Sequence, residues 1–294
     1  MSSYADSSKL WYTKPAHRWS EGLPLGNGRI GAVVMSSPQR EVWSLTESSY
    51  WSGRAEETPG EGGGKPALEA VRKLLFAGDY AGADRLAKMH FQPLKQNFGT
   101  HLGMCNAVIE FVSSPQEELA EFRRELDLTT ALHYTTSGSD GTREALHREM
   151  FTSHADDLLV ARIWAEGSGN VSFTFSLEGQ TDNFMSRSFG SAALEFQGMA
   201  TENVHSDGNC GVSCLGWIHI ETRGGSVRTD GQQIMVEDAD EALIYLDVRT
   251  DYRQNVVAEA KTARDQVELA LAKGYEGLKA DHLSDYGPCM IGSS

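Results

Sequence analysis

Short runs in which apolar and polar residues alternate dominate the middle of the chain, and this period of two predicts β-strands. Eight such runs occupy residues 107–112, 121–128, 131–136, 142–151, 158–165, 171–177, 212–220 and 241–248. Segments rich in Gly and Ser separate them. Successive strands without intervening helices favour antiparallel sheets over a parallel α/β fold. We therefore expect a mainly β protein, a large antiparallel two-sheet β-sandwich.

Two more strand-like runs lie between Arg29 and Leu45, and Ser36-Ser37-Pro38-Gln39 separates them as the turn of a hairpin. Residues 1–20 show no regular pattern, although Trp11, Tyr12 and Trp19 make them too apolar for a free tail. In the run 142–151 the alternation is imperfect, and we expect its polar side chains on the outer face of a strand.

Helical spacing appears in two other segments. After Pro66, Leu68, Val71 and Leu75 recur every three or four residues, and a second helix follows Gly78-Asp79, which predicts a helical hairpin laid against a sheet. The same spacing returns over 256–286, with Gly274 as an interruption. We expect a β-sandwich domain at 1–252 with a helical insertion at about 66–90, a helical linker at 253–286 and a tail at 287–294.

Composition restricts the partners. The chain has 294 residues, and 26 basic against 41 acidic residues leave a net charge of −15. Such a field repels phosphate backbones and anionic lipids, so we expect neither nucleic acid nor membrane as a partner. No window has the ~18 apolar residues of a membrane span, and the first residues lack the features of a signal peptide. The localisation is therefore open: cytoplasmic as the sequence stands, secreted if a leader precedes Met1.

No metal or cofactor site is predicted. The four cysteines lack the repeated spacing of zinc ligands, and the disulfide state of Cys210 and Cys214 is left open. His133, His147 and His154 are expected to be structural or exposed. The run Leu25-Gly26-Asn27-Gly28-Arg29-Ile30-Gly31 has glycine-rich spacing, but a strand and no Lys-Ser/Thr follows, so it predicts a tight turn rather than a phosphate loop.

Three residues are candidates for contact with a substrate or a second domain, namely Trp51, Glu47 and Asn27. Trp51 stands beside Ser52-Gly53 at a strand end and is able to stack on a sugar or to lie at an interdomain surface. Glu47 is the best-placed acid, but it would equally organise its loop by hydrogen bonds to backbone, Ser or Thr. We assign no catalytic residue.

Several segments, in order, resemble the N-terminal domain of glycoside hydrolase family 95, the inverting α-L-fucosidases and related α-L-galactosidases. They include LWYTKPAHRWSEGLPLGNGRIGAVV (10–34), SLTESSYWSG (44–53), ALEAVRKLLFAGDYAGADRLA (67–87), FRRELDLTTALHYT (122–135), TREALHREMFTSHADDLLVARI (142–163), SDGNCGV (206–212) and KGYEGLKADHLSDY (273–286). The final GPCMIGSS departs from the family.

The resemblance implies a β-sandwich followed by a linker and an (α/α)₆ barrel that carries the catalytic acid and the water-activating residues. We therefore expect the N-terminal domain of an α-L-fucosidase-like hydrolase, without its barrel and inactive alone. Its expected partners are that barrel and a fucosylated or related glycan. Two alternatives stay open: a carbohydrate-binding or interaction module, and a truncated, non-functional gene product.

Overall fold

The structure, a computed structural model, describes residues 8–53, 64–91, 99–112, 122–138, 145–166, 168–206, 208–209, 211–253 and 256–291. Within these ranges the chain is mainly β, with two antiparallel sheets and four α-helices. The expected two-sheet sandwich with a helical hairpin and a C-terminal helical arm is confirmed.

The strands in chain order are β1 (Lys9–Tyr12), β2 (Leu23–Gly26), β3 (Ile30–Val34), β4 (Arg40–Glu47), β5 (Cys105–Phe111), β6 (Phe122–Asp127), β7 (Leu132–Ser137), β8 (Leu146–Ser153), β9 (Leu158–Ala165), β10 (Val171–Gly179), β11 (Met185–Phe189), β12 (Ala193–Met199), β13 (Ser213–Arg223), β14 (Ser226–Asp230), β15 (Gln233–Ala239) and β16 (Glu241–Thr250). One sheet has nine strands in the order β1-β6-β7-β8-β9-β16-β13-β12-β11. The other has seven, in the order β14-β15-β10-β5-β4-β3-β2.

All eight alternating runs contain strands, and the hairpin around Ser36–Gln39 is β3 paired with β4. The expectation that residues 1–20 are irregular is wrong for β1, which pairs with β6 from Lys9↔Asp127 to Tyr12↔Arg124. β1 lies at a sheet edge, and Leu10, Trp11 and Tyr12 are all exposed, so burial imposes no alternation on it.

The polar residues of β8 do not all face solvent, which corrects the expectation for the run 142–151. Arg148 is buried between the sheets, where it pairs with Glu41. Glu149 lies on the outer face but is covered by a helix, since Lys279 and Tyr275 bind its carboxylate. The alternation of polar and apolar residues within one strand does not reveal an ion-pair partner on the opposite sheet. It also does not reveal that a helix from later in the chain covers the outer face.

The main core lies between the two sheets and is built from inward-facing side chains of both. Its fully buried members include Ile30, Leu45, Met104, Ile109, Phe173, Phe175, Phe196, Ile218 and Leu246. Trp43 is 3% exposed and meets Phe175 edge-on at 6.4 Å. The aromatic and aliphatic side chains removed from water here supply the driving force that holds the sheets together.

The helical hairpin consists of α1 (Gly64–Phe76) and α2 (Tyr80–Phe91), joined through Gly78 at φ +81°. α1 packs chiefly against α2 and not along a sheet. Of the predicted stripe, Val71 is buried, whereas Leu68 and Leu75 are 41% and 44% exposed, so the stripe is only partly covered.

The C-terminal arm consists of α3 (Val256–Lys273) and α4 (Tyr275–Ile291), separated by Gly274 at φ +77°. It covers the outer face of the nine-stranded sheet and forms a second core there. That core contains Phe151, Val160, Trp217, Tyr245, Ala263, Val267, Ala270, Tyr275 and Leu278. α4 extends past residue 286, so the helix includes the first residues of the segment predicted as a tail.

Candidate functional site at one end of the sandwich

One end of the sandwich brings the three predicted contact residues together. The β2–β3 turn carries Asn27, the end of β4 carries Glu47, and Trp51 follows four residues after Glu47. The β8–β9 turn and the end of β16 complete this end of the molecule. We call the set Asn27, Arg29, Glu47, Ser49, Trp51, Asp157, Asp247, Arg249 and Thr250 the strand-end cluster.

Asn27 holds the β2–β3 turn. Its Oδ1 accepts hydrogen bonds from the backbone N–H groups of Arg29 (3.0 Å) and Ile30 (2.8 Å). Its Nδ2 donates to the carbonyl oxygen of Ser153 at 2.9 Å. Gly28 has φ +90°, a conformation that a side chain disfavours, and the segment continues as a strand. The turn predicted for the glycine-rich run is confirmed. Substrate contact by Asn27 stays a prediction.

Arg29 binds two distant carboxylates. Its Nε donates to Asp157 Oδ1 at 2.8 Å, and its Nη2 donates to Asp247 Oδ1 at 2.6 Å. Arg249 contacts the same two acids, through Nε to Asp247 Oδ2 and Nη1 to Asp157 Oδ2, both at 2.8 Å. Two arginines and two aspartates thus form a closed ion-pair ring that joins the two sheets at this end.

The electrostatics of this ring follow from its burial. Asp247 is fully buried, and burial raises its pKa although Arg29 and Arg249 act in the opposite direction. Burial also lowers the pKa of Arg29, but the carboxylates of Asp247 and Asp157 outweigh it, so that pKa is raised. Charge-assisted hydrogen bonds to both oxygens of each aspartate compensate for the lost hydration. The ring therefore has a structural role, since it joins the two sheets at this end.

Glu47 is 4% exposed and organises the turn that follows β4. Its Oε2 accepts hydrogen bonds from the backbone N–H of Ser49 (2.7 Å) and from Ser49 Oγ (2.5 Å). Ser49 Oγ also lies 2.5 Å from Thr250 Oγ1 at the end of β16. These contacts are those of a loop-organising carboxylate, the alternative left open for this residue. Direct contact of Glu47 with a ligand stays a prediction.

Trp51 has a fixed backbone and a partly open ring. Its backbone forms a bridge with His101, and its carbonyl oxygen accepts the N–H of Val212 at 2.9 Å. The indole Nε1 donates to the carbonyl oxygen of Ser48 at 3.1 Å, and the His101 ring meets the indole edge-on at 5.7 Å. The residue is 39% exposed. A fixed, amphipathic ring of this kind is suited to contact a sugar face or another protein surface.

The cluster contains residues that sequence reasoning missed. Asp157, Asp247 and Arg249 of the cluster were not selected from the sequence, nor was His101 beside it, because their contacts with Arg29 or Trp51, or with each other, form only through pairing of distant strands. The ring occupies the carboxylates of Asp157 and Asp247, and Ser49 occupies that of Glu47. Inverting hydrolysis requires an acid and a base about 6.5–9.5 Å apart on either side of the sugar. These three carboxylates serve structural hydrogen bonds instead.

The predicted histidines occupy separate environments. His133 is buried beside Ser36, His147 stacks on Trp164 at 5.3 Å, and His154 is exposed and 3.0 Å from Asp285. Among the described residues no group of three or more His, Cys, Asp or Glu side chains is placed to hold a metal ion. Cys105 and Cys214 are buried free thiols, whereas Cys210 and the side chain of Cys289 lie outside the described part. None of the helices in the described ranges is both long and apolar enough to cross a bilayer.

Comparisons with known proteins point to one group of carbohydrate-active enzymes. The family model described as "Glycosyl hydrolase family 65, N-terminal domain" matches residues 10–255. Alpha-L-fucosidase 2 of Arabidopsis thaliana is 26% identical over 306 residues, which cover 95% of this chain and 35% of that protein. "Probable alpha-fucosidase A" of Aspergillus niger is 29% identical over 186 residues, covering 60% of this chain and 22% of that protein.

A solved structure shares the fold. The protein described as "Putative kojibiose phosphorylase from human microbiome" superposes with a TM-score of 0.56 at 9% identity, over 96% of this chain and 38% of that chain. At this identity the likeness concerns architecture alone. The chain thus spans between 22% and 38% of the length of these three proteins.

Proposed function

Because this chain belongs to the family described as "Glycosyl hydrolase family 65, N-terminal domain", we propose that it is the N-terminal β-sandwich domain of an α-L-fucosidase-like hydrolase of family 95. The observation that carries the proposal is the match to Alpha-L-fucosidase 2 along 95% of the chain. The kojibiose phosphorylase shares the fold at only 9% identity, which favours the fucosidase branch over the phosphorylase branch.

The proposed role of this sandwich is to support chemistry located elsewhere. In the strand-end cluster, the carboxylates of Glu47, Asp157 and Asp247 are held by Ser49, Arg29 and Arg249. A general acid must instead be free to give its proton to the leaving group. The catalytic carboxylates would therefore belong to the remaining two thirds of the full-length relatives, and Trp51 would contact that part.

We expect the 294-residue chain by itself to release no fucose. The measurement is incubation with an aryl α-L-fucoside and with 2′-fucosyllactose, with the full-length Arabidopsis relative assayed in parallel. The Glu47→Gln variant is the control, because it keeps the shape of the side chain and removes its charge. Turnover by the wild-type chain that disappears in Glu47→Gln would refute both the inactivity and the structural role of Glu47.

A second candidate function is glycan binding without catalysis, and the exposed Trp51 ring favours it. It predicts saturable heat in calorimetry with fucosylated oligosaccharides and loss of that heat in Trp51→Ala. Trp19→Ala is the matched control, since Trp19 is 65% exposed on a short 3₁₀ helix outside the cluster. Absence of heat with the wild-type chain, or equal binding by Trp51→Ala, would exclude this function at Trp51.

A further inference from the structure

A group of polar side chains lies inside the sandwich, away from the strand-end cluster. Glu41 points inward from β4, His133 and Thr135 from β7, and Arg148 from β8, and all four are buried. We call them the inter-sheet polar cluster. Thr135 and Arg148 are directly opposite each other in the β7–β8 ladder.

Part of this cluster is fully hydrogen-bonded. Arg148 Nη1 donates to Glu41 Oε2 and to the carbonyl oxygen of Ser37 at 2.8 Å. Glu41 Oε1 accepts the backbone N–H of Ser36 at 2.8 Å and that of Val42 at 3.1 Å. The Nε2 atom of His133 lies 3.0 Å from Ser36 Oγ. The ion pair therefore links the two sheets and is anchored to the β3–β4 turn.

Four other polar atoms of the cluster are buried without a hydrogen-bond partner in the described part of the chain: Arg148 Nε, Arg148 Nη2, His133 Nδ1 and Thr135 Oγ1. Leaving such atoms unsatisfied carries the full cost of their lost hydration, and native proteins rarely leave several of them unpaired together. Together with Glu41, the three residues line one cavity of about 10 Å³. Its other walls are the apolar Val34, Trp43, Met150, Ala161 and Ile163 and the charged Glu149 and Arg162. The smallest space that holds an ordered water is about 10–15 Å³.

The donors and acceptors among the four atoms match the hydrogen-bonding capacity of one water molecule, which accepts two hydrogen bonds and donates two. The two guanidinium nitrogens can only donate. Burial lowers the pKa of His133 to about 3, and nearby Arg148 and Arg124 add to the effect, so the ring is neutral and one nitrogen can accept. If Nε2 donates to Ser36 Oγ, Nδ1 is that acceptor. The hydroxyl oxygen of Thr135 is a second acceptor.

We propose that this cavity binds one ordered water, which accepts hydrogen bonds from Arg148 Nε and Nη2 and donates to His133 Nδ1 and Thr135 Oγ1. The water completes the polar network that joins β4, β7 and β8 across the sandwich. A halide is the competing ligand, because the same atoms include several donors. The Glu41 carboxylate already neutralises Arg148 within the cluster, and the small cavity disfavours the larger ion.

A crystal structure of the chain grown in sodium bromide tests the ligand directly. We expect a density peak within about 3.2 Å of Arg148 Nη2 and Thr135 Oγ1, with no anomalous signal at the bromine edge. A cavity without density would overturn the proposal. An anomalous bromide peak would overturn it in favour of an anion site.

Thr135→Val provides a test in solution, because the substitution should change the melting temperature in opposite directions for a hydrated and for a dry cavity. If water bridges Thr135, the substitution removes one of its partners and lowers the melting temperature relative to wild type and to Thr135→Ser. If the cavity is dry, replacing an unpaired hydroxyl by a methyl group is neutral or stabilising. Thr136→Val, on the other face of the same strand, serves as the comparison for loss of a hydroxyl with a known partner, since Thr136 Oγ1 lies 3.3 Å from His147 Nδ1. A melting temperature of Thr135→Val at or above that of wild type would refute the proposal.

Discussion

At the scale of single residues, the polar side chains of the glycine-rich run hold one end of the sandwich together. Asn27 uses its amide for the turn, and Arg29 reaches Asp157 and Asp247 on two other segments. This explains why the run contains a tight turn and a conspicuous arginine without a nucleophile or a phosphate-binding lysine. The polar groups of Asn27 and Arg29 form hydrogen bonds and ion pairs within the protein.

We expect Arg29→Met to lower the free energy of unfolding by about 3 kcal/mol, because it leaves the buried Asp247 with Arg249 as its remaining charged partner. Arg40→Met is the matched control. Arg40 is exposed and pairs with Glu178 at 2.6 Å, so its loss should cost less than about 1 kcal/mol. Urea unfolding followed by circular dichroism measures both. Equal losses in the two variants would contradict the structural role of the ring.

At the scale of elements, the C-terminal arm is anchored to the nine-stranded sheet by polar as well as apolar contacts. Lys279 lies 2.7 Å from Glu149 Oε1, and His282 stacks on Phe151 at 4.7 Å. Tyr286 Oη donates to the carbonyl oxygen of Leu128 at 3.0 Å. The helices α3 and α4 therefore pack closely against the outer face of this sheet.

Truncating Leu278 tests that packing. Leu278 is fully buried in α4, and Leu278→Ala should cost about 2–5 kcal/mol through lost burial and a cavity. Leu269→Ala makes the same chemical change in α3 at a side chain that is 65% exposed, and it should cost less than about 0.5 kcal/mol. Chemical denaturation provides both values. If Leu278→Ala is as mild as Leu269→Ala, the arm does not contribute to the stability of the sandwich.

At the scale of the whole molecule, buried histidines make stability depend on pH. Burial lowers the pKa of His133 to about 3 and also lowers the pKa of His282. The unfolded chain binds these protons near the ordinary histidine pKa of about 6.5, and the folded chain does not. Protonation thus favours unfolding, and stability falls as the pH drops below that value.

Between about pH 7.5 and about pH 5.5, His133 alone should remove about 1 kcal/mol of stability. Urea titrations at the two pH values measure the loss in wild type and in His133→Gln, where it should be smaller. His154→Gln is the control, because the His154 side chain is 73% exposed and should leave the difference unchanged. An identical pH dependence in wild type and His133→Gln would contradict the assignment of the effect to His133.

Burial explains why some strands were predictable, although β12 and β15 lay outside the predicted runs despite buried residues such as Phe196 and Val236. β9 coincides with its alternating run 158–165, because Leu158, Val160 and Leu159 are held between apolar layers. β11 and β14 escaped prediction because exposed edge strands of Met185–Phe189 and Ser226–Asp230 carry mostly polar residues. The spacing of Leu68 and Leu75 correctly predicted a helix. Helical spacing alone does not show which part of the protein packs against that face.

The candidate site divides in the same way. Trp51, Glu47 and Asn27 could be selected from the sequence because each lies in a distinctive local motif next to a turn. Their partners could not. Arg29 meets Asp157 and Asp247 across 128 and 218 positions, and Ser49 meets Thr250 across 201.

The sequence by itself determined the antiparallel β-sandwich, the two helical segments and the resemblance to a glycoside hydrolase domain, because periodicity and motif order are local properties of the chain. Only the tertiary structure decided that Arg29 closes an ion-pair ring, that Glu47 holds a turn, and that Arg148 lies buried beside Glu41. The physical reason is that charge pairing and desolvation depend on which distant strands meet, and no local pattern records that meeting.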